Sequence, residues 1–143
     1  MKNLLILFLF FGVFTSNKTI AQIGIAVAKN SNNSAIEWRI NWGSGSAWDC
    51  KMKAKKHLTN KGHQKVSTQD GNSCCGHNIS SGYYVVVKSR YKIYDNSYKT
   101  SYGLGASASS YNDAEMKAVK NLSVYNWSWK KRHGYSVEKK GSF

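Results

Sequence analysis

The sequence predicts an α+β fold: two pseudo-symmetric strand–strand–helix–strand halves, forming a mainly antiparallel sheet with two helices packed on it. Three observations predict it. Residues 46–58 align with residues 110–122 at a constant offset of 64, with seven of thirteen positions identical. Apolar and polar residues alternate in the stretch before each of these blocks, the period of a half-buried strand. Further strand-like segments fall in the same order in both halves, so the repeat runs over about residues 23–69 and 83–139.

In chain order, residues 23–28 are an apolar opening strand. In the next strand Ile36, Trp38, Ile40 and Trp42 alternate with Glu37, Arg39 and Asn41, which assigns Trp38 and Trp42 to the core. The first helix opens on Ser46-x-x-Asp49, a capping-box-like start, and Cys50, Ala54 and Leu58 recur every fourth residue as one apolar stripe. Residues 64–68 form the return strand. The second half repeats the plan, beginning with a strand over residues 83–92. Tyr102, Leu104, Ala106 and Ala108 then alternate with Gly and Ser, and a helix follows from Ser110-x-x-Asp113 with Ala114, Ala118 and Leu122 as its stripe. Residues 135–138 form its return strand. Two loops break the symmetry: residues 71–82, and the longer insertion 123–134. Function is expected there, because loops vary without disturbing a shared scaffold.

The chain has 143 residues, a length that suits one domain. At 41% hydrophobic and 13% aromatic it is neither wholly disordered nor collagen-like. Residues 1–21 read as a signal peptide: Lys2, an apolar run over residues 4–14, and a small-x-small site at Thr19-Ile20-Ala21. That run is too short to span a bilayer. The expected product is a secreted or periplasmic domain over residues 22–143, starting near Gln22. Loss of Lys2 and Lys18 lowers the formal charge from +14 to +12. In an oxidising compartment Cys50 is expected to pair with Cys74 or Cys75. The leftover thiol stays buried or links two chains, so a monomer or a thiol-linked dimer is expected. Cys74-Cys75-Gly76-His77 lacks the spacing of a structural zinc site, and neither metal nor cofactor is expected.

The opening Gly24-Ile25-Ala26-Val27-Ala28, the small-residue strand Tyr102-Gly103-Leu104-Gly105-Ala106-Ser107, an Ala-rich helix and a Val-rich strand resemble an uncharacterised family of small exported bacterial proteins. That domain of unknown function is built from two Cys-bearing strand–helix–strand repeats. The similarity covers about residues 23–139 and implies the two-repeat fold; it implies no reaction and carries over no catalytic residue.

Catalytic groups are scarce among four histidines and seven acids. A secreted nuclease would pair His63 or His77 with His133 as base and acid, with Lys131 stabilising the transition state. Asp49 and Asp113 look paired by symmetry, but at the first turn of each helix they serve as caps. The basic clusters say more. Lys51, Lys53, Lys55 and Lys56 crowd the first helix opposite its apolar stripe, and Lys88, Arg90 and Lys92 alternate along one strand face. Lys130, Lys131, Arg132 and His133 directly follow Trp127 and Trp129, cations beside aromatics that suit stacking on bases or sugars with phosphate or sulfate contact. The expected function is non-enzymatic binding of an anionic partner (an acidic protein, a cell-surface polysaccharide or nucleic acid) through this Lys/Arg/Trp face. A secreted nuclease-type hydrolase, or an inhibitor or immunity-type partner of another exported protein, is the alternative. Asn-x-Ser triplets begin at Asn32, Asn78, Asn121 and Asn126.

Overall fold

In the structure, a computed structural model, residues 21–71 and 81–143 are described. The expected leader up to Ile20, and Cys74, Cys75, His77 and Asn78, lie outside the described residues. The elements are β1 (Ala21–Lys29), β2 (Ala35–Ser44), α1 (Ala47–Asn60), β3 (Val66–Asp70), β4 (Tyr83–Lys92), β5 (Tyr98–Ser107), α2 (Tyr111–Tyr125), a short 3₁₀ turn (Lys131–His133) and β6 (Ser136–Ser142). Each half is thus strand–strand–helix–strand, as expected, and the fold is α+β. The return strands differ in extent. β3 starts at Val66 because residues 61–65 are needed to leave the helix, with Gly62 at φ +94°. β6 continues to Ser142 because it pairs with β4 as far as Tyr83.

The strands form two separate three-stranded antiparallel sheets, ordered β2-β1-β3 and β5-β4-β6, where the sequence suggested a single sheet. The physical reason lies in the central strands. β1 and β4 carry near-continuous apolar runs, so both their faces must be covered. The inner faces meet one another: Ile23, Ile25, Val27 and Ile40 pack against Tyr84, Val86, Tyr102, Leu104 and Ala106. The outer faces take the helices. Ala54 and Leu58 of α1 pack on Ala26, Ala28 and Val66, whereas Ala114, Ala118 and Leu122 of α2 pack on Val85, Val87 and Tyr91. Four layers result, helix–sheet–sheet–helix. Full burial of each large aliphatic side chain in them contributes about 1.5–3 kcal/mol.

Small residues set the helix-to-sheet distance. A Cβ on Gly24 would lie 2.6 Å from the Lys51 backbone nitrogen of α1, and one on Gly105 would lie against the Ala114 carbonyl of α2. Both helices start as the sequence indicates. Ser46 Oγ accepts from Asp49 N (3.1 Å) while Asp49 Oδ2 accepts from Ser46 N (2.9 Å). Ser110 Oγ accepts from Asp113 N (3.2 Å). The Asp113 carboxylate accepts instead from Lys117 Nζ and Ser107 Oγ, which hold it below the usual carboxylate range.

The repeat extends to the turns. In the β1–β2 hairpin Asn33 has φ 59° and its N–H donates to Asn30 O (3.1 Å); in the β4–β5 hairpin Asn96 has φ 62° and donates to Ile93 O (3.0 Å). Asparagine tolerates this left-handed position, which a three-residue hairpin loop requires.

Between the halves, the buried Gln69 side chain of β3 acts as a surrogate strand: its Nε2 donates to Tyr102 O (2.9 Å) and its Oε1 accepts from Leu104 N (3.4 Å) of β5. Asn121 and Asn126 are buried, donating to Leu104 O (2.6 Å) and to Leu122 O (3.0 Å). Neither of these two Asn-x-Ser triplets therefore presents its amide to solvent, while Asn32 is exposed.

Of the two tryptophans expected in the core, Trp38 packs against it and Trp42 is corrected. Trp42 is 46% exposed, because it lies near the end of edge strand β2, where one side of its ring meets Tyr84 (5.9 Å, stacked) and the other meets solvent. Trp38 is half-buried against Tyr102. The Cys50 thiol is buried and donates to Gln22 O (3.2 Å), while Cys74 and Cys75, its expected disulfide partners, lie outside the described residues. Burial pushes the Cys50 pKa up.

A cationic cleft at the hairpin ends

The insertion after α2 is shaped by one buried side chain. Trp129, expected as a binding aromatic, is only 5% exposed and belongs to the core beneath α2. Its indole is held by polar partners: Nε1 donates to Ser89 Oγ (3.0 Å), and Ser89 Oγ in turn donates to Gly134 O (2.7 Å). Pegging Trp129 inward sends its neighbours outward. Trp127 is 84% exposed, and Lys130, Lys131 and Arg132 are all on the surface.

His133 folds back beneath them. Its ring stacks on Tyr91 (4.7 Å between centroids, 5° between planes), and its Nδ1 accepts from Lys130 N (2.9 Å). That acceptor role leaves the proton of the neutral ring on Nε2. Tyr91 OH reaches Ser128 Oγ (3.0 Å), and Lys99 Nζ donates to the same oxygen (3.4 Å). The insertion is thus fastened to the outer face of β4 and β5.

Around it opens a cleft of about 900 Å³, walled by three segments far apart in sequence. Asn32 and Asn33 come from the first hairpin turn; Lys92, Ile93, Tyr94, Asp95 and Lys99 come from the second hairpin; Trp127, Ser128, Lys130, Arg132 and His133 come from the insertion. A bond from Thr100 N to Ser34 Oγ (2.9 Å) ties the two hairpins together. Of the residues singled out in the sequence, Lys92, Trp127, Lys130, Arg132 and His133 meet here. Lys131 lines a neighbouring, smaller concavity with Lys120, Val124 and Trp127.

The other expected contributors lie elsewhere. Lys53, Lys55 and Lys56 are on α1, which covers the opposite outer layer of the molecule, so the basic residues do not form a single face. Lys51 is not opposite the apolar stripe: at about 100° per residue it borders the stripe, and it is half-buried in an ion pair with Asp70 (3.3 Å). Lys88 pairs with Glu138 (3.6 Å) and lies over the Tyr102 ring. Arg90 lies over Tyr98 (4.7 Å). His63 accompanies Lys61 at Glu37, 2.8 Å from its carboxylate, in the first half of the molecule. Lys61 and then His63 hold Glu37 below the usual carboxylate range.

The electrostatics of the cleft follow from where the acids are. All seven are engaged: Glu37, Asp70, Asp113 and Glu138 in ion pairs, Asp49 in its cap, Glu115 with Tyr135 OH (3.0 Å), and Asp95 with its own turn. Ser97, through its hydroxyl and its amide, holds Asp95 below the usual carboxylate range, which makes it a poor base. Among the described residues Lys92, Lys130, Lys131 and Arg132 have no ion-pair partner. Just behind the cleft the half-buried Lys29 has its pKa lowered by burial, then by the charges of Lys99 and Lys65.

Lys99, Tyr94 and the two asparagines were not anticipated. The available signal was pairing: Lys99 sits opposite Tyr91 in the second hairpin, and the loop tips of both hairpins project from the same end. Among the described residues no group of three or more His, Cys, Asp or Glu is placed to hold a metal ion. No helix among them is long and apolar enough to cross a membrane. Comparison with protein-family models, curated protein sequences and solved structures gives no match for this chain.

Proposed function

We propose that this chain is an exported small basic protein that binds an anionic partner, without catalysis, through the cleft formed by Lys92, Lys99, Trp127, Lys130 and Arg132. The observation that carries the proposal is the imbalance of charge. Four cations line one cleft, its single acid is engaged by its own turn, and the remaining acids are engaged elsewhere. Gathering like charges costs free energy that an anion supplied from outside recovers. A role in solubility alone would be met as well by cations spread over the surface.

The nuclease reading finds less support. His133 is in the cleft while His63 is held by Glu37 in the other half, so these two do not form a base–acid pair.

The test is binding of dextran sulfate, a base-free polyanion, to the full chain over a series of salt concentrations. Affinity is expected to fall steeply with salt through counterion release, and Lys92→Gln with Arg132→Gln should flatten the slope by about one to two charges. Affinity indifferent to salt, or to both substitutions, would refute the cationic cleft. Mass spectrometry of the exported protein, intact and reduced, checks the expected start near Gln22 and any thiol link.

A further inference from the structure

We infer that the anionic partner is a short single-stranded oligonucleotide, its phosphates set against Lys92, Lys99, Lys130 and Arg132 and its bases stacked on Trp127 and Tyr94. The inference rests on the cationic-cleft reading and adds the chemical class of the ligand.

The aromatic rings carry the first part. Three of the seven exposed aromatic rings among the described residues already have a face covered: Tyr98 lies under Arg90 and Lys92, Tyr111 under Lys140 and beside Tyr83, and Trp42 stacks on Tyr84. Trp127 and Tyr94 line the cleft, are the two most exposed large hydrophobic side chains among the described residues, and have neither ring nor cation over them there. A flat π-face beside a fixed cation is what an unpaired base and its phosphate require. Every base offers such a face, so the recognition would tolerate many sequences.

The balance of donors and acceptors carries the second part. The charged groups of the cleft are mainly donors, three ammonium groups and a guanidinium, beside the amides of Asn32 and Asn33, which each offer a donor and an acceptor. Two of its acceptors are already engaged. Asp95 accepts from Ser97 N (2.9 Å), and Ser128 Oγ is reached by Tyr91 and Lys99. A polysaccharide presents many hydroxyl donors that would find few acceptors, and a buried unpaired donor is costly. A phosphodiester backbone presents acceptors only. Duplex is disfavoured by shape, because its grooves receive a protruding helix or ribbon whereas this site is concave.

The experiment measures fluorescence anisotropy of labelled oligo(dT), of an abasic oligomer of equal length and charge, and of dextran sulfate, with the full chain and its Trp127→Ala and Arg132→Gln variants. Oligo(dT) is expected to bind about tenfold or more tighter than the abasic oligomer. Trp127→Ala should weaken oligo(dT) by at least about fivefold, the loss of one stacked base, while changing the abasic oligomer by less than about twofold. Arg132→Gln should weaken all three ligands. Equal affinity for oligo(dT) and the abasic oligomer, tighter binding of dextran sulfate than of oligo(dT), or indifference to Trp127→Ala overturns the oligonucleotide inference and leaves the cationic cleft standing. No salt-dependent binding of any polyanion, or no effect of Arg132→Gln, overturns both.

Discussion

Trp127 and Trp129 are two residues apart and in the sequence look alike, each followed by a cation or a polar residue. What separates them is partnership. Trp129 finds Ser89 for its N–H and the Val85–Val87–Tyr91 face for its rings, whereas Trp127 finds water. Neither partner is near in sequence, so the distinction could not be made before the fold was known. Urea denaturation should therefore show a large difference. Trp129→Ala is expected to destabilise by about 3–5 kcal/mol, as for a large aromatic removed from a core. Trp127→Ala should stay within about 0.5 kcal/mol, as for most surface changes. The reverse order would mean that the insertion packs differently from the arrangement described. The acids at this scale were legible in part: Asp49 closes the capping box that the Ser-x-x-Asp spacing suggests, whereas at α2 only the Asp113 N–H bonds Ser110, and its carboxylate, expected as a cap, turns to Lys117 and Ser107, which the spacing does not show.

At the scale of elements, both helices and all six strands were legible where local period marks them. β2 alternates, and each helix repeats its apolar residue every fourth position. What had no period was the reason for the two-sheet arrangement: β1 and β4 are apolar at successive positions, and such a run does not say what covers each face. Glycine supplied a quieter signal. Gly105 lies where α2 approaches β5, and the atom a side chain would meet is a backbone carbonyl of the helix. A carbonyl held in a helix cannot swing aside as a side-chain end does. Gly105→Ala should therefore displace α2 and destabilise by about 1–3 kcal/mol, outweighing the gain of up to about 1 kcal/mol from a stiffer unfolded chain. A denaturation midpoint that does not fall would contradict the close contact.

At the scale of the whole molecule, the two sheets are joined by packing and by a few directed bonds, and Gln69 makes the most local of these. Its amide pairs with the Tyr102 carbonyl, which Asn126 Nδ2 also reaches (3.5 Å), and with the Leu104 N–H of β5. Gln69→Ala should cost about 1–3 kcal/mol, chiefly from leaving that N–H without its side-chain partner. Faster hydrogen exchange at Leu104 N than at Val86 N, within the central strand, would show that the loss is local to the seam. The cleft belongs to this scale as well. Its cations could be named from the sequence, but their meeting required two hairpin tips and an insertion to converge, and the α1 lysines could not be set apart from them until the layers were known.

The face-to-face sheets have the arrangement of two like subunits, yet both are segments of one chain. Separate chains would come apart on dilution, whereas a tethered pair meets at an effective concentration fixed by the link between them. A dimer of identical chains would also repeat every insertion on both partners. Tandem linkage removes that obligation: residues 123–134 occur once, and so does the cleft that they help to wall.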